Sequence, residues 1–315
     1  ADPFDNLRYG AKNLNIIPPY LAHVDPWIGE TACDSCYAQL DGSSPLDDLL
    51  PDIMFGRFPV KNVVELSGLV SKILRYEQAR GAEAWQFRIG LVTDNYTQQD
   101  GSHDGAGDFA SIADSIAERA PDGIAVKRLY YDPGPTRPID QPWREPNEDL
   151  AHKRTIDLIN NGAALITYIG HSHQWQWAVT NQQSTTSSYL LGLYDTDLLN
   201  NENRLAIIRE LTCLTGAFQT PTYEGTTIDE RLLIMPGGAA AIWGSSGLSV
   251  ANGHDMLALG FDRALWQANK QGVSLGILTQ AGLLELYSSS TCCNDILRTY
   301  LLLGDLQAIR LKHDY

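Results

Sequence analysis

The feature that most constrains this chain is a series of short, largely apolar blocks separated by amphipathic stretches. A block that is apolar on both faces belongs to a strand covered on both sides, the environment of a parallel sheet between helices. We therefore predict an α/β fold with a mostly parallel central sheet. Its predicted strands are Trp85–Thr93, Gly123–Tyr131, Ala163–Ile169, Gly238–Gly244 and a strand within Leu205–Phe218.

Helical periodicity fills the stretches between these blocks. Apolar residues recur at helical spacing over Val60–Arg80, which predicts a long helix. The Pro-rich stretch Asp132–Pro146 is predicted to be a surface loop. The other predicted helices are Phe109–Ala120, Leu150–Asn160, Met256–Gln271, Ser274–Leu286 and Cys293–Leu302.

Length and composition bound the class of protein. With 315 residues and 43% hydrophobic content, the chain can bury a full α/β core. We predict one domain over residues 1–315, with an N-terminal subdomain over 1–80 and a catalytic subdomain over 81–315. The net charge of −15 and the scattered Lys and Arg argue against nucleic acid as a partner. No apolar run is long enough to predict a transmembrane segment.

Two successive apolar blocks end in residues with complementary chemistry. His171 follows the block Ala163–Ile169, and Cys213 lies at the end of the next block. A thiol becomes a nucleophile when a base raises its thiolate fraction, and an imidazole can also protonate a leaving amine. The pair predicts a cysteine hydrolase. The alternative is a buried cysteine that acts only as a small hydrophobic residue.

The motifs around this pair resemble a known family. A block ending in His and a small residue, followed by a block ending in Thr-Cys, is similar to the caspase, legumain and gingipain clan of cysteine peptidases. The segments IIPPYLAHVDPWIGETACDSCYAQLDG, PDIMFGRFPV and LLLGDLQAIRL narrow the resemblance to gingipains, from Ile17 to Leu311. It implies a caspase/gingipain-like three-layer sandwich, a cysteine endopeptidase acting on protein or peptide substrates, and a secreted or cell-surface location. It also implies an N-terminus truncated relative to the family.

The resemblance assigns roles around the pair. The backbone N–H groups of Ser172 and Cys213 would form the oxyanion hole, although the family usually has Gly where Ser172 stands. Asp94, at the end of its predicted strand, would orient His171; its alternative role is a turn residue.

The resemblance also places a substrate pocket. Asp108 aligns with the acidic residue at the base of the pocket of arginine-specific gingipains, which implies cleavage after Arg or Lys. The alternative for Asp108 is an N-cap of the next helix. The loop from Trp243 onward, including Ser245 and Ser246, resembles the pocket wall.

Metals and the other cysteines leave alternatives open. His171 and His173 could form a metal pair, and the carboxylates of the loop QQDGSHDGAGDF could bind a structural Ca²⁺ or simply be solvated. The chemistry itself needs no cofactor. Cys33 and Cys36, with Cys292 and Cys293, could form a zinc site, disulfides or separate thiols.

A cysteine endopeptidase is the function these observations favour. The alternative is a catalytically silent gingipain-like domain that serves as a binding or scaffold module. A third reading is a metal-dependent hydrolase that uses His171 and His173.

Overall fold

A seven-stranded sheet forms the centre of the computed structural model, which describes residues 17–78, 83–98, 100–134, 141–179, 189–220, 222, 224–249, 251–268, 272–289 and 292–306. The described strands are β1 (Leu21–Asp25), β2 (Gly29–Ala32), β3 (Arg88–Thr93), β4 (Ala125–Tyr131), β5 (Arg144–Glu145), β6 (Leu165–Ile169), β7 (Ser172–His173), β8 (Gln176–Trp177), β9 (Leu191–Gly192), β10 (Ala206–Leu211), β11 (Ala239–Ser245) and β12 (Tyr300–Gly304). The central sheet has the order β12-β11-β10-β6-β3-β4-β5. Every pair in it is parallel except β11 with β12.

Helices cover both faces of this sheet. The described α-helices are α1 (Val63–Gln78), α2 (Phe109–Arg119), α3 (Glu148–Asn161), α4 (Ile228–Ile234), α5 (His254–Gln267), α6 (Leu275–Ser289) and α7 (Asn294–Thr299). One apolar core contains residues of α2, α5, α6 and α7, and the other contains residues of α1, α3 and α4. The predicted three-layer α/β sandwich with a mostly parallel sheet is therefore confirmed.

Three predicted elements differ from the structure. Within Cys293–Leu302, only α7 is helical, because Tyr300–Gly304 pairs antiparallel with β11 at the sheet edge. A short apolar run has no periodicity that separates strand from helix, so its partner decides. The first residues of Trp85–Thr93 form a 3₁₀ turn, and β5 lies inside the predicted loop Asp132–Pro146.

Register brings the predicted site to one edge. Leu211 of β10 pairs with Ile169 of β6, and Ile169 pairs with Thr93 of β3. The residues that follow these strands therefore meet at the carboxyl edge, where open α/β sheets place their ligands. No helix in the described ranges is long and apolar enough to cross a membrane.

Two small sheets flank this edge. The hairpin β1–β2 is antiparallel, and β7, β8 and β9 form a three-stranded antiparallel sheet directly after His171. Trp177 of β8 stacks on Tyr168 of β6 with ring centroids 4.6 Å apart, which fixes the small sheet on the face that carries α1, α3 and α4.

Candidate active site

The backbone at His171 is held on both sides. Gly170 adopts a φ of +158°, and a Cβ there would overlap Asp94 and the hydroxyl of Tyr168. His171 donates its backbone N–H to Asp94 Oδ2 at 3.2 Å, and its carbonyl accepts from the Tyr168 hydroxyl and from Ala178 N–H. The histidine therefore leaves the strand in one fixed direction.

The imidazole of His171 contacts Asp104. Its Nε2 lies 2.8 Å from Asp104 Oδ2, the edge of Phe109 packs against the ring at 5.4 Å, and 51% of the side chain is exposed. The predicted orienting residue, Asp94, binds the main chain of His171 instead of its ring nitrogen Nε2. Burial raises the pKa of Asp94 to about 6, against the opposing effect of His171.

A folded-back loop brings Asp104 to the histidine. Thr97 forms a β-bridge with His103, and the rings of Tyr96 and His103 stack with centroids 4.6 Å apart. Asp104 N–H then donates to Tyr96 O at 2.8 Å. Asp94 and Asp104 are ten residues apart, and both approach His171. The sequence could not reveal that Asp104, rather than the strand-end residue Asp94, contacts the ring.

Ser172 connects the two halves of the site. Its Oγ accepts from Cys213 N–H at 3.1 Å and from Thr212 Oγ1 at 2.7 Å, and it donates to Cys213 O. The Cys213 N–H predicted for the oxyanion hole is therefore engaged by a side chain. Ala178 N–H donates to His171 O, which places the next pair, Ser172 with Trp177, in the register of a non-hydrogen-bonded pair. The N–H of Ser172 consequently points away from β8.

Cys213 is a neutral thiol in this structure. It is the unpaired cysteine of the described chain, and its Sγ donates to Ser249 O at 2.9 Å. Burial and the negative charge of Asp25 raise the pKa of the Cys213 thiol to about 11, while the Ser249 bond acts in the opposite direction. The thiol therefore carries its proton at neutral pH.

A buried polar network lies behind this acceptor. Ser249 Oγ is 2.7 Å from His254 Nε2, and the Tyr300 hydroxyl is 3.0 Å from the same nitrogen. Burial lowers the pKa of His254 to about 3, so its ring is neutral. The network fixes the loop that contains Ser249, whose carbonyl accepts the hydrogen bond from the Cys213 thiol.

Comparison with known proteins identifies the family of this chain and the structures that share its fold. The profile of peptidase family C25 matches residues 2–308. The chain belongs to peptidase family C25. No curated protein sequence gives a match.

Solved structures share the fold of this C25 chain. The Arg-specific cysteine proteinase gingipain R (RgpB) superposes with a TM-score of 0.67 at 19% identity, covering 89% of this chain and 59% of that one. The complex of Porphyromonas gingivalis RgpB pro- and mature domains gives a TM-score of 0.66 at 19% identity, covering 89% and 61%. A structure described as a protease gives 0.64 at 15% identity, covering 89% and 60%. The chain thus spans about three fifths of the structures that it matches.

The predicted pocket-wall residues of this C25 chain are buried in the structure. Trp243 is 1% exposed and packs in the core against Tyr300, with ring centroids 5.5 Å apart. Ser245 and Ser246 are fully buried and hydrogen bond to Thr299. Trp243 and Ser245 belong to β11 and Ser246 follows it directly, in the buried centre of the sheet.

Asp108 caps a helix and also lines a cavity. Its Oδ1 accepts from Ala110 N–H at 3.1 Å and Ser111 N–H at 3.3 Å, which makes it the N-cap of α2. The same residue lines a cavity of about 110 Å³ at the carboxyl edge of β3 and β4. The other lining residues are Asp94, Tyr96, Ala110, Tyr130, Tyr131, Asp132 and Arg144.

The loop that carries the candidate calcium ligands uses its carboxylates on protein partners. Asp100 Oδ1 accepts from the N–H and hydroxyl of Ser102, and Asp104 uses its two oxygens on Ala106 N–H and His171. Within the described residues, no three His, Cys, Asp or Glu side chains are grouped to hold a metal. Asp100 and Asp104 of this loop bind groups of their own turns and, for Asp104, the imidazole of His171. A structural calcium ion stays a prediction.

The remaining cysteines are oxidised. Cys33 is bonded to Cys36, and Cys292 is bonded to the adjacent Cys293. Of the alternatives for these four residues, the structure therefore contains two local disulfides. The two imidazoles of the predicted metal pair have separate partners, since His171 contacts Asp104 and the His173 ring contacts Trp175.

Proposed function

We propose that this C25 chain is a cysteine endopeptidase in which Cys213 is the nucleophile and His171 the general acid and base. The observation that carries the proposal is the delivery of both residues from adjacent parallel strand ends, coupled through Ser172. Membership of the family and the fold support the same reaction class. The two disulfides support the secreted or cell-surface location that the resemblance implies.

The geometry suggests how protons move. With Nε2–H donated to Asp104, the other ring nitrogen of His171 carries the lone pair. The Cys213 thiol starts protonated and hydrogen bonded to the carbonyl of Ser249. When the substrate binds, the thiol leaves this carbonyl and transfers its proton to His171. The Sγ–C bond then forms, and the imidazolium protonates the amine as the C–N bond breaks. Water hydrolyses the thioester and regenerates the thiol.

The oxyanion would be stabilised by two backbone donors. The N–H of Ser172 points away from β8, and the N–H of Cys213 becomes available once the Ser172 hydroxyl rotates away. Substrate binding in this proposal therefore includes a side-chain rotation at Ser172.

The cavity beside Asp108 supports a preference for Arg or Lys before the scissile bond. Three carboxylates and one guanidinium line it, which leaves an excess of negative charge.

The variant Asp108→Asn tests this preference without removing the helix cap, because asparagine caps helices as well as aspartate does. We expect this variant to lower kcat/KM for Arg and Lys substrates at least tenfold, roughly the weight of one buried charged hydrogen bond, and to leave neutral substrates nearly unchanged. Equal slowing of all substrates would contradict the pocket.

The proposal is tested by a fluorogenic peptide library on wild type and Cys213→Ala. Wild type should hydrolyse a subset of peptides, and the variant should lose that activity while keeping its Tm, since replacing a thiol by hydrogen leaves only a small void. Activity retained in Cys213→Ala would refute the nucleophile. A silent binding domain would show no hydrolysis by wild type and no selective labelling of Cys213 by an acyloxymethylketone probe.

A further inference from the structure

The hairpin that follows His171 presents two aromatic rings to solvent. The ring centroids of His173 and Trp175 lie 3.8 Å apart at an angle of 39°, and Trp175 is 41% exposed. An exposed tryptophan that already contacts a second ring is an amphipathic surface of the kind that anchors bound peptides. These two rings are called the aromatic platform below.

The backbone beneath the platform is fixed. Gln174 O accepts from Ile228 N–H, and Trp175 O accepts from Leu193 N–H, each at 2.8 Å. The hairpin is therefore tied to the first turn of α4 and to the 3₁₀ turn at Leu193. Ordering the rings on binding consequently costs little backbone entropy, since the support is already in place.

The platform lies beside His171, on the side of the segment opposite to the Ser172 hydroxyl. Side chains alternate along an extended segment, so His171 and His173 share a face while Ser172 turns to Cys213. Both histidines are exposed, in agreement with this alternation. Two extended residues span about 7 Å, so the backbone of His173 lies within the span of two substrate residues from His171.

The proposed chemistry fixes which part of a substrate reaches this face. His171 protonates the leaving amine, so the peptide on the carboxyl side of the scissile bond departs past His171. The acyl side of the substrate stays on Cys213. The aromatic platform therefore lies on the leaving-peptide side.

We propose that His173 and Trp175 form a subsite for the first residues after the scissile bond, and that it selects aromatic or aliphatic side chains there. This inference rests on the proposed function, since it uses His171 as the acid. Trp175 is the specificity-determining residue, because its indole provides most of the exposed apolar surface. Stacking between aromatic rings corresponds to a preference of about three- to tenfold.

Acyl transfer isolates this subsite from every other part of the site. A peptidyl methyl ester acylates Cys213 with methanol as the leaving group, so no residue occupies the leaving-peptide side. Added phenylalanine amide, leucine amide or glycine amide then competes with water for the thioester, forming an amide bond and releasing the thiol. The ratio of amide product to acid measures binding of the amine on the aromatic platform.

Wild type should favour phenylalanine amide and leucine amide over glycine amide by about three- to tenfold. Trp175→Ala should abolish this preference while the rate of methyl ester hydrolysis stays within twofold, and Trp175→Phe should restore part of it. Tyr287→Ala is the matched control, because Tyr287 is 50% exposed on α6, across the sheet from the hairpin. It should behave as wild type.

Three results would overturn the inference. An unchanged product ratio in Trp175→Ala, with ester hydrolysis intact, would remove the subsite and leave the proposed function standing. Parallel loss of ester hydrolysis and amide formation at a constant ratio would assign Trp175 a structural role. Absence of ester hydrolysis in wild type would overturn the proposed function itself, and this inference with it.

Discussion

At the scale of single residues, position 172 distinguishes this chain from the family pattern. Serine keeps the backbone N–H that a glycine would provide there, and adds a hydroxyl that occupies the N–H of Cys213. The same hydroxyl ties Thr212 and the carbonyl of Cys213 into one network. Under the proposed mechanism, the free enzyme therefore holds its own acceptor, the Ser172 hydroxyl, where an oxyanion would bind.

We expect Ser172→Gly to raise kcat/KM. The hydroxyl's hydrogen bond to Cys213 N–H is worth about 0.5–1.5 kcal/mol, so its removal should increase the rate by roughly two- to tenfold. Ser172→Ala separates the hydroxyl from backbone flexibility, and it should give most of the same gain. Steady-state kinetics on one fluorogenic peptide measure both. A loss of activity in both variants would mean that the hydroxyl itself donates to the oxyanion.

The sequence predicted His171 and Cys213 as the candidate pair, but it did not predict all of their partners. Both residues end apolar blocks, and the ends of parallel strands meet by rule. Asp104 lies in a polar loop, and its contact with His171 depends on the bridge between Thr97 and His103. Loop closure of this kind leaves no periodic signal, so the sequence favoured Asp94, which lies at a strand end.

At the scale of elements, a buried lysine joins two helices. Lys72 of α1 is 1% exposed, and its Nζ donates to the carbonyls of Leu232, Leu233, Met235 and Gly237 at 2.7 to 3.0 Å. These carbonyls lie at the end of α4 and just beyond it, where a helix carries partial negative charge. The ammonium therefore caps α4 from a neighbouring helix.

We expect Lys72→Met to destabilise the fold by about 3 kcal/mol, because it leaves several buried carbonyls without a donor. Lys153→Met is the control: Lys153 forms an ion pair with Asp157 on the exposed face of α3, where the side chain of Lys153 is 69% exposed. That variant should change stability by less than about 0.5 kcal/mol. Urea unfolding measures both free energies, and equal values would contradict the capping role.

Elements with long periodic patterns could be predicted, and short ones could not. The long helix α1 and the apolar strand β6 lie within two or three residues of their predicted bounds. The hairpin β1–β2 and the three short strands after His171 consist of two to five residues each. Their pairing is decided by contacts such as Trp177 on Tyr168, which no local pattern encodes.

At the scale of the whole molecule, two charged residues inside a buried strand reveal how the layers are joined. Arg209 and Glu210 of β10 are fully buried. Arg209 pairs with Asp262 of α5 at 2.7 Å on one face of the sheet. On the other face, Glu210 lies beside Asp229 of α4, and the side chains of both residues approach Gly244. The sequence shows both charges in an apolar block, but only the strand order reveals their partners.

The pair of Glu210 and Asp229 must share a proton. Burial raises the pKa of both carboxyls, and the adjacent Glu210 raises that of Asp229 further. Glu210 also accepts from Trp177 Nε1 at 2.8 Å and from the hydroxyl of Thr215, two residues after Cys213. Two ionised carboxylates in this place would repel without solvent screening, so one stays protonated.

The shared proton makes the stability of the whole molecule depend on pH. The unfolded carboxyls titrate near pH 4, so at higher pH the folded state binds one proton more than the unfolded state. Stability from this pair is therefore fully present below about pH 4 and falls by about 1.4 kcal/mol per pH unit as pH rises, until the pair loses its proton.

Asp229→Asn replaces the shared O–H with an amide N–H and removes this dependence of stability on pH. Between pH 5 and 7, the free energy of unfolding of the variant should rise by roughly 3 kcal/mol relative to wild type. Urea titrations at each pH measure the difference, with Asp122→Asn on the exposed surface as the control that should show none. Parallel curves for wild type and Asp229→Asn would show that both carboxyls are ionised in the folded protein.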